Sequence, residues 1–199
     1  MAFPRLVRAP DPEQDTLRSR SDDELMELAR AGLRSAFAVL VERYAERVVG
    51  LCSRFVNDAQ LGQELAQDTW VLVWQGRGKY RKDSGGGFVS WLITVARNHC
   101  RNDLRRRKVA SSHAHELGVD DAAPSAGQLE ALLVEERRRR VRQALAELPL
   151  QLREALLLRY AENLRYDAIA SVVGTGESTL RSRVHHGLKA LKEKLAEES

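Results

Sequence analysis

Arginine and asparagine side chains recur at helical spacing in the middle of the sequence. They form two neighbouring rows with a repeat of four positions: Arg97, Arg101 and Arg105, and beside them Asn98, Asn102 and Arg106. Residues four apart share one face of a helix, so the two rows form one polar face. An apolar row with the same spacing, which begins at Trp91, lies on the opposite face. Because guanidinium groups bind phosphates and amides bind base edges, we predict a nucleic-acid-binding face here. A face that contacts only water is the alternative.

A tyrosine among cations precedes this helix. Tyr80 follows Lys79 and precedes Arg81 and Lys82, and glycines on both sides indicate a loop. An aromatic ring in such a loop can stack on an unpaired base while the cations hold the backbone. We therefore predict that Tyr80 and Lys82 contact single-stranded nucleic acid.

Near its C-terminal end the chain contains a helix-turn-helix pattern. A short amphipathic segment over 166–173 is followed by a turn containing Gly174 and Gly176, and then by a longer amphipathic helix. In this motif the start of the second helix enters the major groove of DNA. The polar residues predicted to face DNA are Ser178, Thr179, Arg181, Ser182, Arg183 and His186. A helical hairpin with a solvated basic face is the alternative.

Helices must position these groups, because apolar residues recur at every third or fourth position. This spacing predicts helices over 37–55, 59–74 and 88–108, and helical structure from 129 onward with a break at Pro149. No convincing strand pattern occurs. The predicted fold class is therefore all-α.

A change of composition divides the chain. Residues 109–136 hold six acidic residues and no lysine or arginine, a composition typical of a flexible linker. The predicted organisation is a flexible arm over 1–20, a helical domain over 21–108, a linker over 109–128 and a second helical domain over 129–199.

Charge is unevenly distributed, although the net charge of +4 is modest. Residues 22–74 carry nine acidic and five basic side chains, a net charge of −4, whereas residues 75–107 carry nine basic and two acidic, a net charge of +7. This polarity predicts two surfaces that bind two different partners.

Little in the sequence supports catalysis. The paired histidines, His113 with His115 and His185 with His186, have no cysteine or carboxylate cluster at metal-ligand spacing. The glycine run over 85–87 lacks the following lysine of a phosphate-binding loop. We predict a protein that is not an enzyme and that binds no metal or cofactor.

The remaining composition favours a cytoplasmic protein. Cys52 and Cys100 fall in apolar helical stripes, where a buried reduced thiol is expected. The N-terminal segment lacks the apolar core of an export signal, and no apolar run has membrane-spanning length.

The chain contains FVSWLITVARNHCRNDLRRR at 88–107 and ELAQDTWVLVW at 64–74. These segments resemble regions 2.4 and 2.2 of extracytoplasmic-function sigma factors, the promoter-recognition subunits of bacterial RNA polymerase. Residues 147–192 resemble their region 4 throughout. The resemblance implies a sigma region 2 bundle and a sigma region 4 helix-turn-helix, joined by the acidic linker.

The resemblance also implies a function. Such a chain would bind core RNA polymerase, recognise the −10 and −35 promoter elements and melt DNA. The implied −10 contacts are Tyr80, Lys82, Arg97, Asn98, Arg101, Asn102 and Arg105, and the −35 contacts are the six polar residues of the helix-turn-helix. The implied contacts to the clamp helices of the largest polymerase subunit are Gln63, Glu64, Gln67, Asp68 and Trp74. The polymerase flap and an anti-sigma factor are further implied partners.

Two positions depart from the family pattern: Ser178 replaces a usual glycine, and Arg165 replaces a usual serine or threonine. The alternative function is a free-standing helix-turn-helix regulator that binds duplex DNA without polymerase. Such a regulator would need neither an aromatic loop nor an acidic docking face.

Overall fold

The computed structural model describes residues 16–82, 87–110 and 129–197, and every regular element within these ranges is helical. The all-α prediction is confirmed. Most of the predicted arm, Gly85 and Gly86 of the glycine run, and most of the predicted linker lie outside the described residues. The last residues of the arm contact the first domain, since Leu17 is buried and Arg18 pairs with Glu42 at 3.1 Å.

Four helices form the N-terminal domain: α1 (Asp22–Arg30), α2 (Arg34–Val56), α3 (Ala59–Gly76) and α4 (Gly87–Ala110). A capping box starts α1, because the Ser21 hydroxyl accepts from the Glu24 backbone N–H while the Glu24 carboxylate accepts from the Ser21 N–H. The inner faces of the four helices bury a common core that includes Leu25, Met26, Leu40, Leu51, Phe55, Val73, Phe88 and Leu92.

A glycine allows α2 and α3 to approach closely. A Cβ atom added at Gly62 on α3 would lie 2.4 Å from the Cα atom of Ser53 on α2. No side chain fits in that space. The glycine therefore brings α3 close enough to α2 for their apolar faces to pack.

The C-terminal domain contains α5 (Leu129–Glu147), α6 (Leu150–Leu156), α7 (Tyr166–Val173) and α8 (Glu177–Glu197), with a π-helical turn, Leu157–Ala161, after α6. Gly174 ends α7 with a φ of 70°, in the left-handed region that favours glycine. The helices enclose a small core of Leu156, Leu158, Ile169, Leu180 and Val184.

The two domains are in contact. α4 of the N-terminal domain lies against α7 of the C-terminal domain, and α2 lies against the π-helical turn. Two carboxylates of the C-terminal domain, Glu154 and Glu162, are buried at this contact and pair with arginines of the N-terminal domain. The contact covers part of the surface that the sequence predicts to bind nucleic acid.

Candidate nucleic-acid interface

The start of α8 presents a polar surface. Leu180 and Val184 are buried against α7, which directs the residues between them outward. Arg183 is half-buried. The other predicted −35 contacts are all exposed: Ser178, Thr179, Arg181, Ser182 and His186. The geometry thus matches a helix whose first turns can enter a groove of DNA.

Tyr166 and Arg159 lie beside this surface, and neither of them was predicted as a site residue. The guanidinium carbon of Arg181 lies 4.5 Å from the centroid of the Tyr166 ring, and that of Arg159 lies 5.3 Å from it. Together with Arg165, Asp167 and Glu177, these residues line an open cleft of about 240 Å³. A tyrosine at the start of α7 is the sequence signal that could have identified this site, because the turn between α7 and α8 is short enough for its ring to reach α8.

Part of the predicted −10 surface on α4 is accessible. Asn98, Asn102 and Arg105 are exposed, as is Lys82 before the helix. Arg101 is about two-fifths exposed, and its Nη1 lies 3.5 Å from Oε2 of Glu154. The exposed amides and Arg105 form a face that can contact a DNA strand.

The expectation that Arg97 lies on this exposed face is wrong. Its side chain is 6% exposed, and its Nε donates to Oε1 of Glu154. Its Nη1 also donates to the backbone carbonyl of Val172 on α7, at 3.3 Å. The C-terminal domain covers this position, so Arg97 cannot reach DNA while the two domains are in contact.

The expectation of an exposed base-stacking ring at Tyr80 is also wrong. Tyr80 is completely buried, and its ring packs edge-on against Trp91 at 5.5 Å. The hydroxyl donates to Oδ1 of Asp23 on α1, which also accepts from the Phe88 backbone N–H at 3.1 Å. Burial, followed by this hydrogen bond, raises the pKa of the Tyr80 phenol well above its usual value. Tyr80 is therefore a core residue that fixes α1 to the start of α4.

The predicted polymerase-binding residues lie along α3. Gln63, Glu64, Gln67 and Asp68 are exposed, whereas Trp74 is half-buried beneath the guanidinium of Arg77, at 4.1 Å. The sequence did not single out two exposed apolar residues that extend this polar face by one helical turn. These are Val71 and Leu72, whose exposed fractions are 53% and 39%. A mixed acidic and apolar surface of this kind suits a protein partner.

A second carboxylate also joins the two domains. The Glu162 side chain is 1% exposed and accepts from Arg47 Nε at 2.7 Å and from Arg54 Nη2 at 3.0 Å, both on α2. Both arginines therefore share one carboxylate partner within the chain. Opposite charges at such short distances bind strongly where water is excluded.

The described residues contain no group of three or more His, Cys, Asp or Glu side chains that could hold a metal ion. His185 and His186 are neighbours on α8, and the pair at 113 and 115 lies outside the described ranges. Cys52 and Cys100 are buried free thiols, as predicted. None of the described helices is both long and apolar enough to span a bilayer.

A helix-turn-helix with an exposed reading surface, next to a second helical domain with a basic helix, defines a two-domain DNA-binding protein. Family models identify both domains: residues 40–109 match Sigma-70 region 2, and residues 138–191 match Sigma-70, region 4. The chain belongs to the sigma-70 family of RNA polymerase sigma factors.

Relatives support this assignment over most of the chain. The RNA polymerase sigma-H factor of Pseudomonas aeruginosa is 34% identical over 88% of this chain and 94% of its own length. RNA polymerase sigma factor CarQ of Myxococcus xanthus is 33% identical over 86% and 96%. The ECF RNA polymerase sigma-E factor of Salmonella typhimurium is 29% identical over 88% and 94%. The predicted extracytoplasmic-function type and the role in transcription initiation are confirmed. Sigma factors as a family are not enzymes.

Solved structures share the fold. CnrH in complex with the cytosolic domain of CnrY superimposes with a TM-score of 0.68 at 22% identity, covering 90% of this chain and all of that chain. The sigma factor RpoE in complex with the anti-sigma factor NepR from Bartonella quintana gives 0.63 at 22%, covering 80% and 96%.

Proposed function

We propose that this sigma factor uses three separate surfaces, and that the described arrangement is a closed form that must open before DNA is captured. The main support for a closed form is the position of the Glu154 carboxylate. It accepts a hydrogen bond from Arg97 and contacts Arg101, two of the residues predicted to bind the −10 element. A carboxylate bound to these guanidinium groups occupies the place that a DNA phosphate would take.

The first surface, on α3, binds core polymerase. Gln63, Glu64, Gln67 and Asp68 supply polar and acidic contacts to the clamp helices, and Val71 adds apolar area at the end of the same face. Trp74 supports this surface from below, because it is half-buried and packs against Phe37 at 5.1 Å. Exposed apolar side chains within a polar rim are the usual composition of such an interface.

The second and third surfaces bind promoter DNA. On α4, Asn98, Asn102 and Arg105 contact the −10 element with Lys82, and Arg97 and Arg101 join them once Glu154 has moved away. On α8, the −35 element is read by the six predicted residues Ser178, Thr179, Arg181, Ser182, Arg183 and His186. Tyr80 has no part in base capture, because its ring is in the core.

Opening exchanges one set of charge pairs for another. Separation of the domains removes Glu154 from Arg97 and Glu162 from Arg47, and DNA phosphates then replace the lost carboxylates at the α4 arginines. A buried ion pair stabilises a structure only weakly compared with hydrated ions, so the net cost of opening is moderate. The favourable free energy comes from contacts that only the open form can make, above all the phosphate contacts of Arg97 and Arg101.

The test is transcription with purified components. Core polymerase and the full chain are combined on linear templates carrying promoters that this holoenzyme selects from a randomised DNA pool. We expect specific transcripts only when both proteins are present. Tight binding to duplex DNA without core polymerase, and no transcripts with it, would instead identify a free-standing regulator.

The division of surfaces is tested with Asn102→Ala, which removes an exposed amide from α4. We expect less strand opening, measured as permanganate reactivity of promoter thymines, with unchanged binding to core polymerase. Gln143→Ala, which removes an exposed amide from the C-terminal domain, is the matched control. Equal loss of opening and of core binding in Asn102→Ala would contradict the division.

We further propose an anti-sigma factor as a partner and the polymerase flap as a second contact. A solved structure of the same fold holds the sigma factor RpoE with the anti-sigma factor NepR, which shows that this fold can bind such an inhibitor. We also propose a cytoplasmic location, because a polymerase subunit acts where polymerase is. Proteins that co-purify with the full chain from its own cells test this proposal: recovery of polymerase subunits alone would contradict the anti-sigma partner.

A further inference from the structure

The tyrosine that begins α7 contacts an arginine on the reading surface of α8. The Arg181 guanidinium lies over the Tyr166 ring at 4.5 Å from its centroid, a distance at which a cation is attracted to an aromatic face. Arg181 is otherwise loosely held, since its side chain is 62% exposed and its ion pair with Glu177, at 3.2 Å, joins two neighbouring turns of one helix. Such exposed pairs contribute little to stability.

A second arginine of the same domain also contacts the Tyr166 ring. Arg159, in the middle of the π-helical turn, places its guanidinium carbon 5.3 Å from the ring centroid. Its Nη1 also donates to the Leu164 backbone carbonyl at 3.1 Å, which ties the side chain to the loop before α7. The ring therefore lies beside one tethered cation and one exposed cation.

An exposed arginine loses rotamer freedom when it binds a base edge. A ring face that already holds the guanidinium reduces this loss, because the side chain is ordered before DNA arrives. Without the ring, only the exposed pair with Glu177 would restrain the guanidinium, and such a pair leaves it free to adopt other rotamers.

We propose that Tyr166 is a positioning residue for −35 recognition: its ring aligns the Arg181 guanidinium for contact with a base edge. The proposal rests on the proposed function of α8 as the −35 reader. It assigns to Tyr166 a role in sequence selectivity that is separate from the packing of α7.

The experiment measures base preference. Holoenzyme reconstituted from core polymerase and the full chain is incubated with duplex promoters that share one −10 sequence and are randomised across the −35 segment. Sequencing the bound DNA gives an enrichment ratio for each base at each position. This ratio does not depend on how much of a variant is folded, so a purely structural role of Tyr166 would leave it unchanged.

Arg181→Ala identifies the positions that Arg181 reads, because enrichment there falls toward one. Tyr166→Leu is expected to lower enrichment at the same positions about 2- to 5-fold. Tyr166→Phe, which keeps the ring, should retain the enrichment of the native chain. Tyr160→Leu is the control: this exposed ring lies 5.9 Å from Arg159 and belongs to the same turn, and its loss should change no position.

The double variant completes the test. In Tyr166→Leu with Arg181→Ala, enrichment should equal that of Arg181→Ala alone, because no guanidinium remains to be aligned. Unchanged enrichment in Tyr166→Leu, or additive losses in the double variant, would overturn the positioning role and leave −35 reading by α8 intact. If Arg181→Ala left every enrichment ratio unchanged, Arg181 would not read the −35 element. The proposed function of Arg181 would then be wrong, and Tyr166 could have no positioning role.

Discussion

The guanidinium of Arg97 on α4 and the carboxylate of Glu154 on α6 form an ion pair whose side chains are only 6% and 1% exposed. The two residues are 57 positions apart and belong to different domains. A charge in such a place requires its partner, since an unpaired buried charge is costly. The pair therefore links the contact between the domains to the availability of α4 for DNA.

Glu154→Gln should favour separation of the N-terminal and C-terminal domains. The amide keeps the shape of the side chain but removes the negative charge that holds Arg97, and hydrogen bonds to charged groups contribute about 1.5 to 3 kcal/mol. We expect a larger radius of gyration by small-angle X-ray scattering, and about 10-fold tighter binding of the free chain to single-stranded promoter DNA. Glu193→Gln, at an exposed carboxylate of α8, should change neither value. An unchanged scattering profile with unchanged DNA binding in Glu154→Gln would refute the closed form.

Val71→Glu should weaken binding to core polymerase. The side chain is 53% exposed at the end of the predicted docking face, so a charge there disturbs an apolar contact without entering the core. We expect about 10-fold weaker binding by surface plasmon resonance, because a charge is desolvated in place of an apolar contact, and an unchanged melting temperature. Leu33→Glu, at another exposed apolar position of the same domain, is the control. Equal effects of the two changes would argue against a docking face on α3.

Arg165→Ser should stabilise the C-terminal domain. Arg165 is the N-cap residue of α7 and has the extended backbone of a cap, but its side chain makes no capping hydrogen bond. A serine hydroxyl can accept from the first turn of α7, which contributes about 1 kcal/mol. Thermal unfolding measures this gain. The loss of a cation beside the α8 surface should at the same time lower the salt slope of DNA binding by about one.

Arg165→Ala separates these two effects. This variant should show the reduced salt slope without the gain in stability, because alanine cannot cap a helix. A stability gain in Arg165→Ala equal to that in Arg165→Ser would mean that capping is not the cause.

Gly62→Ala should destabilise the N-terminal domain. The added methyl group would lie 2.4 Å from the Ser53 Cα atom, so α2 and α3 would have to move apart. Overpacking of this kind typically costs about 1 to 3 kcal/mol, measurable by urea unfolding. Gly78→Ala is the matched control, because no atom lies within 4 Å of the position of its added Cβ. A neutral Gly62→Ala would show that the two helices are not in close contact.

Stability should fall at high pH because of two tyrosine phenols, Tyr44, which is half-buried, and Tyr80, which is buried. Burial, followed by hydrogen bonds to Asp22 and Asp23, raises the pKa of Tyr44 from 10.0 to about 12 and that of Tyr80 further. As the pH rises, the unfolded chain therefore loses these phenolic protons at a lower pH than the folded chain does. The contribution of the two phenols to the free energy of unfolding is complete below pH 10 and is lost as the pH rises through the pKa values of the folded state. Each tyrosine contributes a slope of about 1.4 kcal/mol per pH unit above pH 10.

Tyr80→Phe isolates one of these groups. It should cost about 1 to 3 kcal/mol at neutral pH, because Asp23 loses a buried donor, and it should remove the Tyr80 share of the slope above pH 10. Tyr160→Phe, at an exposed tyrosine, should leave the pH dependence unchanged. Identical slopes for Tyr80→Phe and the native chain would contradict the assignment.

The helical periodicity of the sequence predicted the elements well. The helix predicted over 88–108 is Gly87–Ala110, and the one predicted over 59–74 extends to Gly76. The exposed residues at the start of α8 could also be predicted, because Leu180 and Val184 define the buried side of that helix and leave the others outside. In both cases the information is local.

The positions of Tyr80 and Arg97 could not be predicted in this way. Each pairs with a carboxylate 57 positions away, and local spacing does not reveal such a partner. An aromatic residue between cations looks like a loop residue until Asp23 is found beneath it. An arginine in a polar row looks solvated until the second domain is placed over it.

The carboxylates of Glu154 and Glu162 also affect how the chain responds to its ionic surroundings. Dissolved salt screens exposed charges far more than buried ones, so it weakens the attraction of the α4 arginines for a DNA phosphate more than the attraction of Arg97 for Glu154. As salt rises, the carboxylate within the chain therefore gains over the nucleic acid as the partner of Arg97. High ionic strength should favour the closed form, which makes DNA capture by α4 more sensitive to salt than the phosphate contacts alone would be.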